Sequence, residues 1–316
     1  MTSDRRSMAT TAFAGLAAFL VLSLGAAPAL AQPGQGRGGG GFGLDPRAQD
    51  RTYHFADTNE DLPYCVFASS KVSRDTPAPL IISLHGLGAG PQIMCNSAAV
   101  DLAEAGGYIL AAPMGYNVGG WYGSPVMRFE GRGRGGRGGD GQAAEGRGGR
   151  ASGQAAEGQG GRGRGGFNVG AQPENLAELS EKDVMNVLAM VREEFNVDPD
   201  RIYLTGHSMG GAGTYFLGSK HAGIWAAIAP VAPAAFLMNG TRNEILQGIE
   251  DGGVPVMVVH GDMDEAVPVD ESRTWTAAMK EMGMEHEYVE LPGVTHGPVI
   301  TLSQEHIYEF FAKHAK

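Results

Sequence analysis

The chain has 316 residues, of which 42% are hydrophobic and 19% are charged, and its formal net charge is −11 at pH 7. Nucleic acid and anionic membrane surfaces carry negative charge themselves, so this balance argues against either as the main partner.

The N-terminus has the features of a secretory signal peptide. Arg5 and Arg6 supply positive charge, residues 9–27 are almost wholly apolar or small, and Ala29-Leu30-Ala31 has the small-x-small form of a cleavage site. We therefore expect residues 1–31 to be removed on export, leaving a periplasmic or secreted protein without a membrane anchor. The alternative is an uncleaved segment that anchors the chain in the membrane.

The first elements after the leader alternate between strands and helices. Residues 32–50 begin as a glycine-rich stretch and are predicted to form a flexible arm, and residues 53–67 contain two short strand-like runs. The run Pro79–Leu84 is almost entirely apolar, which is typical of a central strand buried on both faces. A helix around residues 98–103 and a strand at residues 108–112 follow.

The second half of the chain continues this alternation. Ser180 and Asp183 resemble a capping box, which predicts that a helix begins there. Further strands are predicted at residues 202–205, 226–230, 254–259 and 287–291, with a last amphipathic helix through Ile307, Phe310 and Phe311. Buried strands alternating with helices indicate an α/β fold, with a mostly parallel sheet covered by helices on both faces.

Residues 131–166 do not fit this scheme. They contain 17 glycines and seven arginines in 36 positions, and no aromatic or aliphatic side chain larger than alanine. Such a segment cannot bury enough surface to offset chain entropy, so it is predicted to be a disordered insertion in a single domain spanning residues 51–316. Its Arg-Gly-Gly repeats also occur in nucleic-acid-binding segments, but acidic residues dilute their charge and no aromatic residues interleave them.

The chain contains two cysteines, Cys65 and Cys95. In an exported protein they are expected to pair as one disulfide, and the alternative is two buried free thiols. Cys-x-x-Cys spacing, Cys/His clusters and His-Glu-x-x-His are absent from the sequence, so we expect neither a metal nor another cofactor.

Ser208 lies in the most informative segment of the chain. The β-prone run at residues 202–205 leads into Gly206-His207-Ser208-Met209-Gly210, which has the G-x-S-x-G pattern of a serine on a sharp strand-to-helix turn. The pattern predicts a nucleophilic serine whose neighbour Met209 offers a backbone N–H to an oxyanion. The alternative is a glycine-rich turn in which Ser208 only caps a helix.

A nucleophilic serine needs a base and an acid, which follow it in the order acid, then base, on loops after later strands. Asp262 and Asp264 both follow the strand at residues 254–259, and we select Asp264 because Asp262 is better placed to stabilise the turn at Gly261. Of the four histidines that follow Asp264, only His296 lies in a loop that leaves a strand at its carboxyl end. The predicted triad is therefore Ser208, His296 and Asp264.

The second oxyanion donor is predicted from the loop after the strongest strand. Gly86 and Gly88 allow the backbone of that loop to approach a substrate carbonyl, so we assign the N–H of Leu87 together with that of Met209. Three residues are candidates for a substrate pocket: Trp121, Tyr122 and His207. The two aromatic side chains either line an acyl or aromatic pocket or pack beneath their own loop, and His207 is equally well explained by packing near the nucleophile.

Four loops together resemble those of the α/β-hydrolase superfamily. They are Leu84-His85-Gly86-Leu87-Gly88, Gly206 to Gly211, the stretch from His260 to Pro268, and Thr295-His296-Gly297. The chain is most similar to exported esterases related to polyhydroxybutyrate depolymerases and feruloyl esterases, and to prolyl-oligopeptidase-type catalytic domains. This resemblance implies the α/β-hydrolase fold, Ser208, Asp264 and His296 as the triad, and Leu87 and Met209 as the oxyanion pair.

The sequence thus predicts a serine carboxylic-ester hydrolase that acts on a small or polymeric ester through an acyl-enzyme. One alternative is a serine peptidase of prolyl-oligopeptidase type, although the sequence has no N-terminal propeller. The other is a non-catalytic binding module whose glycine- and arginine-rich tract binds polyanions. The identity of the ester and the oligomeric state are left open by the sequence.

Overall fold

The computed structural model describes residues 43–126 and 172–316. The predicted signal peptide at residues 1–31, the arm as far as residue 42 and the insertion at residues 131–166 all lie outside the described residues.

Eight strands form one mixed sheet in the described part of the chain. They are β1 (Gln49–Phe55), β2 (Glu60–Ala68), β3 (Ala78–Leu84), β4 (Ile109–Pro113), β5 (Val197–His207), β6 (Ala227–Val231), β7 (Val256–Gly261) and β8 (His286–Leu291). Their order across the sheet is β1-β2-β4-β3-β5-β6-β7-β8. The pairs β1–β2 and β2–β4 are antiparallel and all the others are parallel, which confirms the mostly parallel sheet.

Helices cover both faces of this sheet. They are α1 (Ser97–Gly106), α2 (Leu176–Glu194), α3 (Met209–Lys220), α4 (Arg242–Asp251), α5 (Val269–Met282), α6 (Val299–Leu302) and α7 (Gln304–Phe311). Alternate residues of β5 enter different cores: Leu204 packs in the cluster that includes α2 and α3, whereas Tyr203 packs in the cluster that includes α1 and α7. Successive side chains of a strand point to opposite faces of the sheet, so the sheet lies between two layers of helices with a core on each side.

Strand β3 is the central strand that its apolar run predicts. It lies between β4 and β5, and all seven of its residues are buried. Strands β3 to β8 are parallel to one another, so their carboxyl ends lie at one edge of the sheet. At this edge β4, β5, β7 and β8 each lead into a loop or turn that carries candidate site residues. This edge is where an α/β sheet builds its binding site.

The predicted disulfide forms between Cys65 in β2 and Cys95, with an S–S distance of 1.97 Å. Cys95 immediately precedes Asn96, whose side-chain oxygen caps α1 by accepting a hydrogen bond from the Ala99 N–H at 3.2 Å. The disulfide therefore fixes the start of α1 against the antiparallel part of the sheet.

The structure corrects two predicted boundaries. Leu44 packs against the core, Asp45 is 3% exposed and paired with Arg47, and β1 begins at Gln49. The predicted arm at residues 32–50 therefore ends too late. Helix α2 begins at Leu176, a full turn before the predicted capping box, so that Ser180 and Asp183 lie inside the helix. Both side chains are buried against another part of the chain, and this tertiary contact determines where they sit.

Candidate active site

Ser208 occupies the turn between β5 and α3, as the sequence predicts. Its backbone has φ 58° and ψ −113°, a conformation that costs a residue with a side chain of the order of 1–3 kcal/mol. Three backbone hydrogen bonds hold the turn: the Ser208 N–H donates to Val231 O at 2.9 Å, and Ser208 O accepts from the N–H groups of Ala212 and Ala234. The surrounding structure therefore enforces a strained conformation at the predicted nucleophile.

Two glycines make this turn sterically possible. A Cβ atom on Gly206 would collide with the carbonyl group of Gly210, and one on Gly210 would collide with the backbone of Leu84 at the end of β3. A Cβ on Gly86, in the loop after β3, would lie 3.4 Å from the Ser208 Cβ. The glycines thus allow close contact between the serine turn, α3 and the loop predicted to bind the oxyanion.

Asp264 is the aspartate that the structure pairs with His296. Its side chain is fully buried, and its Oδ2 accepts a hydrogen bond from His296 Nδ1 at 2.6 Å. Its Oδ1 accepts from the N–H groups of Ala266 and Val267, both at 2.8 Å. Asp262 instead accepts from the Gly293 N–H at 2.6 Å. It therefore supports the loop after β8, whereas the sequence predicted that it stabilises the turn at Gly261.

Hydrogen bonds keep Asp264 ionised despite its burial. Burial by itself raises the pKa of a carboxyl group, but hydrogen bonds from His260, His296 and the Val267 N–H outweigh it and hold the pKa of Asp264 well below its usual range. An ionised Asp264 accepts a hydrogen bond from the Nδ1–H of His296, so in the neutral ring the proton is on Nδ1 and Nε2 is unprotonated. His296 is therefore in the tautomer that a general base requires.

His260 is a second histidine bonded to Asp264, and nothing in the sequence assigned it a role. His260 is completely buried, and its Nε2 lies 3.2 Å from Asp264 Oδ2 and 3.1 Å from Val267 O. Both of these oxygens are acceptors, so Nε2 carries the proton, and Nδ1 accepts from Ser272 Oγ at 2.7 Å. His260 and His296 therefore both bond Oδ2 of Asp264, and together they fix the rotamer of that carboxylate.

His207 contacts His296 itself, through its ring and its backbone. The two rings are 4.5 Å apart, and His207 Nε2 donates to the backbone oxygen of His296 at 2.9 Å. Burial, and then the nearby His296, lower the pKa of His207 to about 3, so its ring is neutral at ordinary pH. Its Nδ1 atom is buried without a hydrogen-bond partner among the described residues.

The predicted pocket residues have different surroundings. Trp121 lines a cavity of about 580 Å³, as expected for a pocket residue. Tyr122 is fully buried and its hydroxyl donates to His85 O at 3.1 Å, which corrects its assignment to a pocket wall. His207 is only 5% exposed and faces His296, so its contacts are with the catalytic loop rather than with a cavity. The structure thus separates the two explanations that the sequence left open.

Two side chains of α2 hold the loop that carries Trp121 and Tyr122. Asp183 is completely buried, and its Oδ2 accepts from the Gly115 N–H at 2.6 Å while its Oδ1 accepts from the Tyr53 hydroxyl at 2.5 Å. Ser180 Oγ donates to Gly115 O and accepts from the Tyr122 N–H. The sequence assigned this pair to a helix cap, and the structure makes it an anchor for the loop after β4.

The predicted oxyanion residues lie at the same edge of the sheet as Ser208. Leu87 follows β3 and is 38% exposed, whereas Met209 is the first residue of α3 and is buried. The Gly88 N–H donates to Val118 O at 2.9 Å, which joins the loop after β3 to the loop after β4. Their role as oxyanion donors remains a prediction.

No group of three or more His, Cys, Asp or Glu side chains among residues 43–126 and 172–316 is arranged to hold a metal ion. None of the helices in that part of the chain is both long enough and apolar enough to cross a membrane.

Solved structures of esterases share this fold. A thermostable esterase is 20% identical with a TM-score of 0.56; the match covers 85% of this chain and 63% of that one, so this chain spans less than two thirds of its length. An S-formylglutathione hydrolase from Agrobacterium tumefaciens is 14% identical with a TM-score of 0.59, and 85% and 95% of the two chains are covered. A ferulic acid esterase from Anaeromyces mucronatus, solved in complex with ferulic acid, is 14% identical with a TM-score of 0.54, and 84% and 90% are covered.

A family comparison matches the C-terminal part of the chain. Residues 170–313 match the family model of the dienelactone hydrolase family, and this range includes Ser208, Asp264 and His296. No curated protein matches the chain. The α/β-hydrolase fold and the predicted resemblance to esterases of that superfamily are confirmed.

Proposed function

We propose that this protein hydrolyses carboxylic esters through a Ser208–His296–Asp264 triad and an acyl-enzyme intermediate. One observation carries the proposal: the His296–Asp264 pair, joined at 2.6 Å, follows β8 and β7 at the same sheet edge as the strained Ser208 turn after β5. A strained serine and a buried carboxylate–imidazole pair have no purely structural need to meet at one edge, whereas nucleophilic catalysis requires both.

The mechanism follows from the protonation states of these groups. His296 Nε2 removes the proton of Ser208 Oγ as the oxygen attacks the acyl carbon, and the N–H groups of Leu87 and Met209 stabilise the oxyanion. The imidazolium then protonates the leaving alcohol, and water attacks the acyl-enzyme with His296 again as base. Asp264 stays ionised throughout, because its hydrogen bonds hold its pKa well below its usual range.

The substrate is proposed to be a neutral ester. A ferulic acid esterase shares the fold and was solved with ferulic acid, so hydroxycinnamate esters belong in the first substrate panel. Short p-nitrophenyl esters and a polyester film complete it, because the fold by itself does not determine the substrate.

We also propose that the chain is exported. Its first 31 residues have the composition of a signal peptide, and a disulfide between Cys65 and Cys95 is suited to an oxidising compartment. N-terminal sequencing of protein recovered outside the cytoplasm should start at Gln32, and a start at Met1 would contradict export with cleavage.

Substitution of the nucleophile tests the catalytic proposal. Ser208→Ala should lower kcat for p-nitrophenyl acetate by about 10³-fold or more, because the substitution removes the hydroxyl on which the proposed acyl-enzyme forms. Ser73→Ala removes an exposed hydroxyl before the amino end of β3 and should leave kcat unchanged. A fluorophosphonate probe should label the wild type and the Ser73 variant but not the Ser208 variant. Labelling or turnover that persists in Ser208→Ala would refute the assignment.

A further inference from the structure

A buried chain of hydrogen bonds runs from α5 to the predicted base. Ser272 Oγ donates to His260 Nδ1 at 2.7 Å, and His260 Nε2 donates to Asp264 Oδ2 at 3.2 Å. The same Asp264 oxygen accepts from His296 Nδ1 at 2.6 Å. The side chains of Ser272, His260 and Asp264 have no exposed surface, so solvent does not compete for these bonds. The proposed mechanism uses only the last of the three bonds, and the first two are without a function in it.

The surroundings of His260 keep its proton on the nitrogen that faces Asp264. Nε2 lies 3.1 Å from Val267 O as well as 3.2 Å from Asp264 Oδ2, and both of these oxygens are acceptors. Nδ1 faces the Ser272 hydroxyl, which rotates freely enough to donate to an unprotonated ring nitrogen. Helix α5 therefore supplies a donor to one nitrogen of the ring, and the other nitrogen is left to donate to the carboxylate.

The hydrogen bond from His260 has a large effect on the charge of Asp264. Burial raises the pKa of this carboxyl group, and the bond from His260 is the strongest of the influences that lower it, ahead of the bond from His296. A carboxylate without exposed surface depends on its hydrogen bonds to remain ionised. Loss of the His260 donor would therefore disfavour the ionised carboxylate on which the tautomer of His296 depends.

Two other titratable groups lie within electrostatic range of His260. Glu290 in β8 is paired with Arg273 of α5 at 2.6 Å, and this hydrogen-bonded guanidinium lowers the pKa of Glu290. His207, at the end of β5, is neutral at ordinary pH because burial lowers its pKa to about 3. Both groups therefore keep a constant charge in an ordinary assay, and a change in the pH profile after substitution of His260 reports on Asp264 and His296.

We propose that Ser272 and His260 form a positioning arm for the catalytic base. The Ser272 hydroxyl fixes the proton of His260 on Nε2, and that proton keeps Oδ2 of Asp264 ionised and oriented toward His296. Ser272 and His260 act through Asp264, so they are positioning residues rather than catalytic residues. The inference rests on the proposed function, because the arm affects turnover only if His296 is the base.

The pH dependence of hydrolysis tests the arm. His260→Leu keeps a side chain of similar volume but removes both ring nitrogens. The Asp264–His296 pair then loses a donor that favours its unprotonated state, so the acid limb of kcat/KM for p-nitrophenyl acetate should move upward by about one pH unit. At neutral pH kcat should fall by about tenfold with KM nearly unchanged, because the arm acts on the base and not on the substrate. A loss of packing alone would lower stability and leave the acid limb in place.

A conservative substitution separates the hydrogen bond from the volume of the side chain. His260→Gln retains an N–H donor of similar reach, so it should recover about half of the shift or more. Thermal unfolding of both variants establishes that they are folded at the assay temperature. An acid limb that stays at its wild-type position in folded His260→Leu would overturn the proposal.

The other end of the arm provides a second test, which also applies if His260→Leu does not fold. Ser272→Ala removes the hydroxyl that fixes the tautomer of His260, and it should move the acid limb upward by about half a pH unit. Thr276→Val is the matched control, because it removes a buried hydroxyl one turn further along α5 that bonds the helix backbone. Its pH profile should be that of the wild type. Equal profiles for Ser272→Ala and Thr276→Val would refute the role of Ser272.

Proton NMR separates failure of this proposal from failure of the proposed function. A short hydrogen bond to a buried carboxylate moves the resonance of an imidazole N–H far downfield, so the Nδ1 proton of His296 can be followed in protein that hydrolyses nothing. This resonance should leave the downfield region in Asp264→Asn, and the midpoint of its pH titration should lie about one unit higher in His260→Leu than in the wild type. If that shift is present but no ester is hydrolysed, the proposed function fails and the arm stands. Equal midpoints in folded proteins would refute the arm even if esters are hydrolysed.

Discussion

The hydrogen bond from His207 to the backbone of His296 predicts a defect in turnover when it is removed. His207→Phe keeps an aromatic ring beside His296 but removes the N–H that donates to His296 O at 2.9 Å. The carbonyl group then loses its partner, and the loop that presents the base gains freedom to move. Because His207 contacts the loop and not a cavity, we expect the loss in kcat, with KM nearly unchanged.

The size of the defect follows from the charge state of the bond. The pKa of His207 is lowered to about 3, so the donor is neutral in any ordinary assay buffer. A neutral hydrogen bond contributes about 1 kcal/mol, and leaving its buried acceptor unpaired costs about 1–3 kcal/mol. If the variant destabilises the catalytically competent position of the His296 loop by about 1–2 kcal/mol, kcat should decrease by about 5- to 30-fold. This is much smaller than the loss expected for Ser208→Ala.

Steady-state hydrolysis of p-nitrophenyl acetate provides the assay. His207→Gln retains a donor of suitable reach and should recover part of the loss, and thermal unfolding of each variant establishes that both proteins fold. A rise in KM with constant kcat would mean that His207 binds substrate, as the sequence first allowed. Full activity in a folded His207→Phe protein would refute the positioning role.

Three further predictions concern stability. Reduction of the Cys65–Cys95 disulfide, or replacement of both cysteines by alanine, should lower the free energy of unfolding by about 4 kcal/mol, because the bond closes a loop of 30 residues. In a thermal melt Tm should fall by about 8–15 °C, and a shift under 2 °C would contradict this prediction. Gly210→Ala should abolish soluble folded protein because its Cβ collides with Leu84, whereas Gly223→Ala, with open space around it, should melt like the wild type. The pKa of His207 is about 3 in the folded protein and 6.5 in the unfolded chain, so the unfolded chain takes up the proton first as the pH falls. The free energy of unfolding should therefore fall by about 1.4 kcal/mol per pH unit between about pH 6.5 and pH 3. His207→Phe should lack this contribution to the pH dependence of its stability.

The sequence predicted the parts of the site that local chemistry specifies. The glycines on either side of Ser208 mark a strained turn, and the structure shows that a Cβ at Gly206 or Gly210 would collide with backbone. The choice of Asp264 over Asp262, and of His296 among the later histidines, required only knowledge of where strands end. The hydrogen bond between Asp264 and His296 agrees with that choice.

Other residues acquire their roles only from contacts between distant parts of the chain. Asp183 binds the Gly115 N–H from 68 positions away, and nothing in its helix distinguishes it from a capping residue. His260 looks like the end of an apolar strand until the structure places it against Asp264 and Ser272. A local pattern cannot show which distant donor will satisfy a buried carboxylate.

The amino-acid sequence by itself determined the order of strands and helices, the serine turn and the choice of Ser208, Asp264 and His296 as candidates, because these follow from side-chain periodicity, turn chemistry and the direction of parallel strands. Only the tertiary structure decided which groups support those three residues, that Tyr122 is buried while Trp121 borders a cavity, and that the Ser272 hydroxyl bonds His260. Burial and hydrogen-bond satisfaction are properties of the assembled packing, so they are set once distant segments have met.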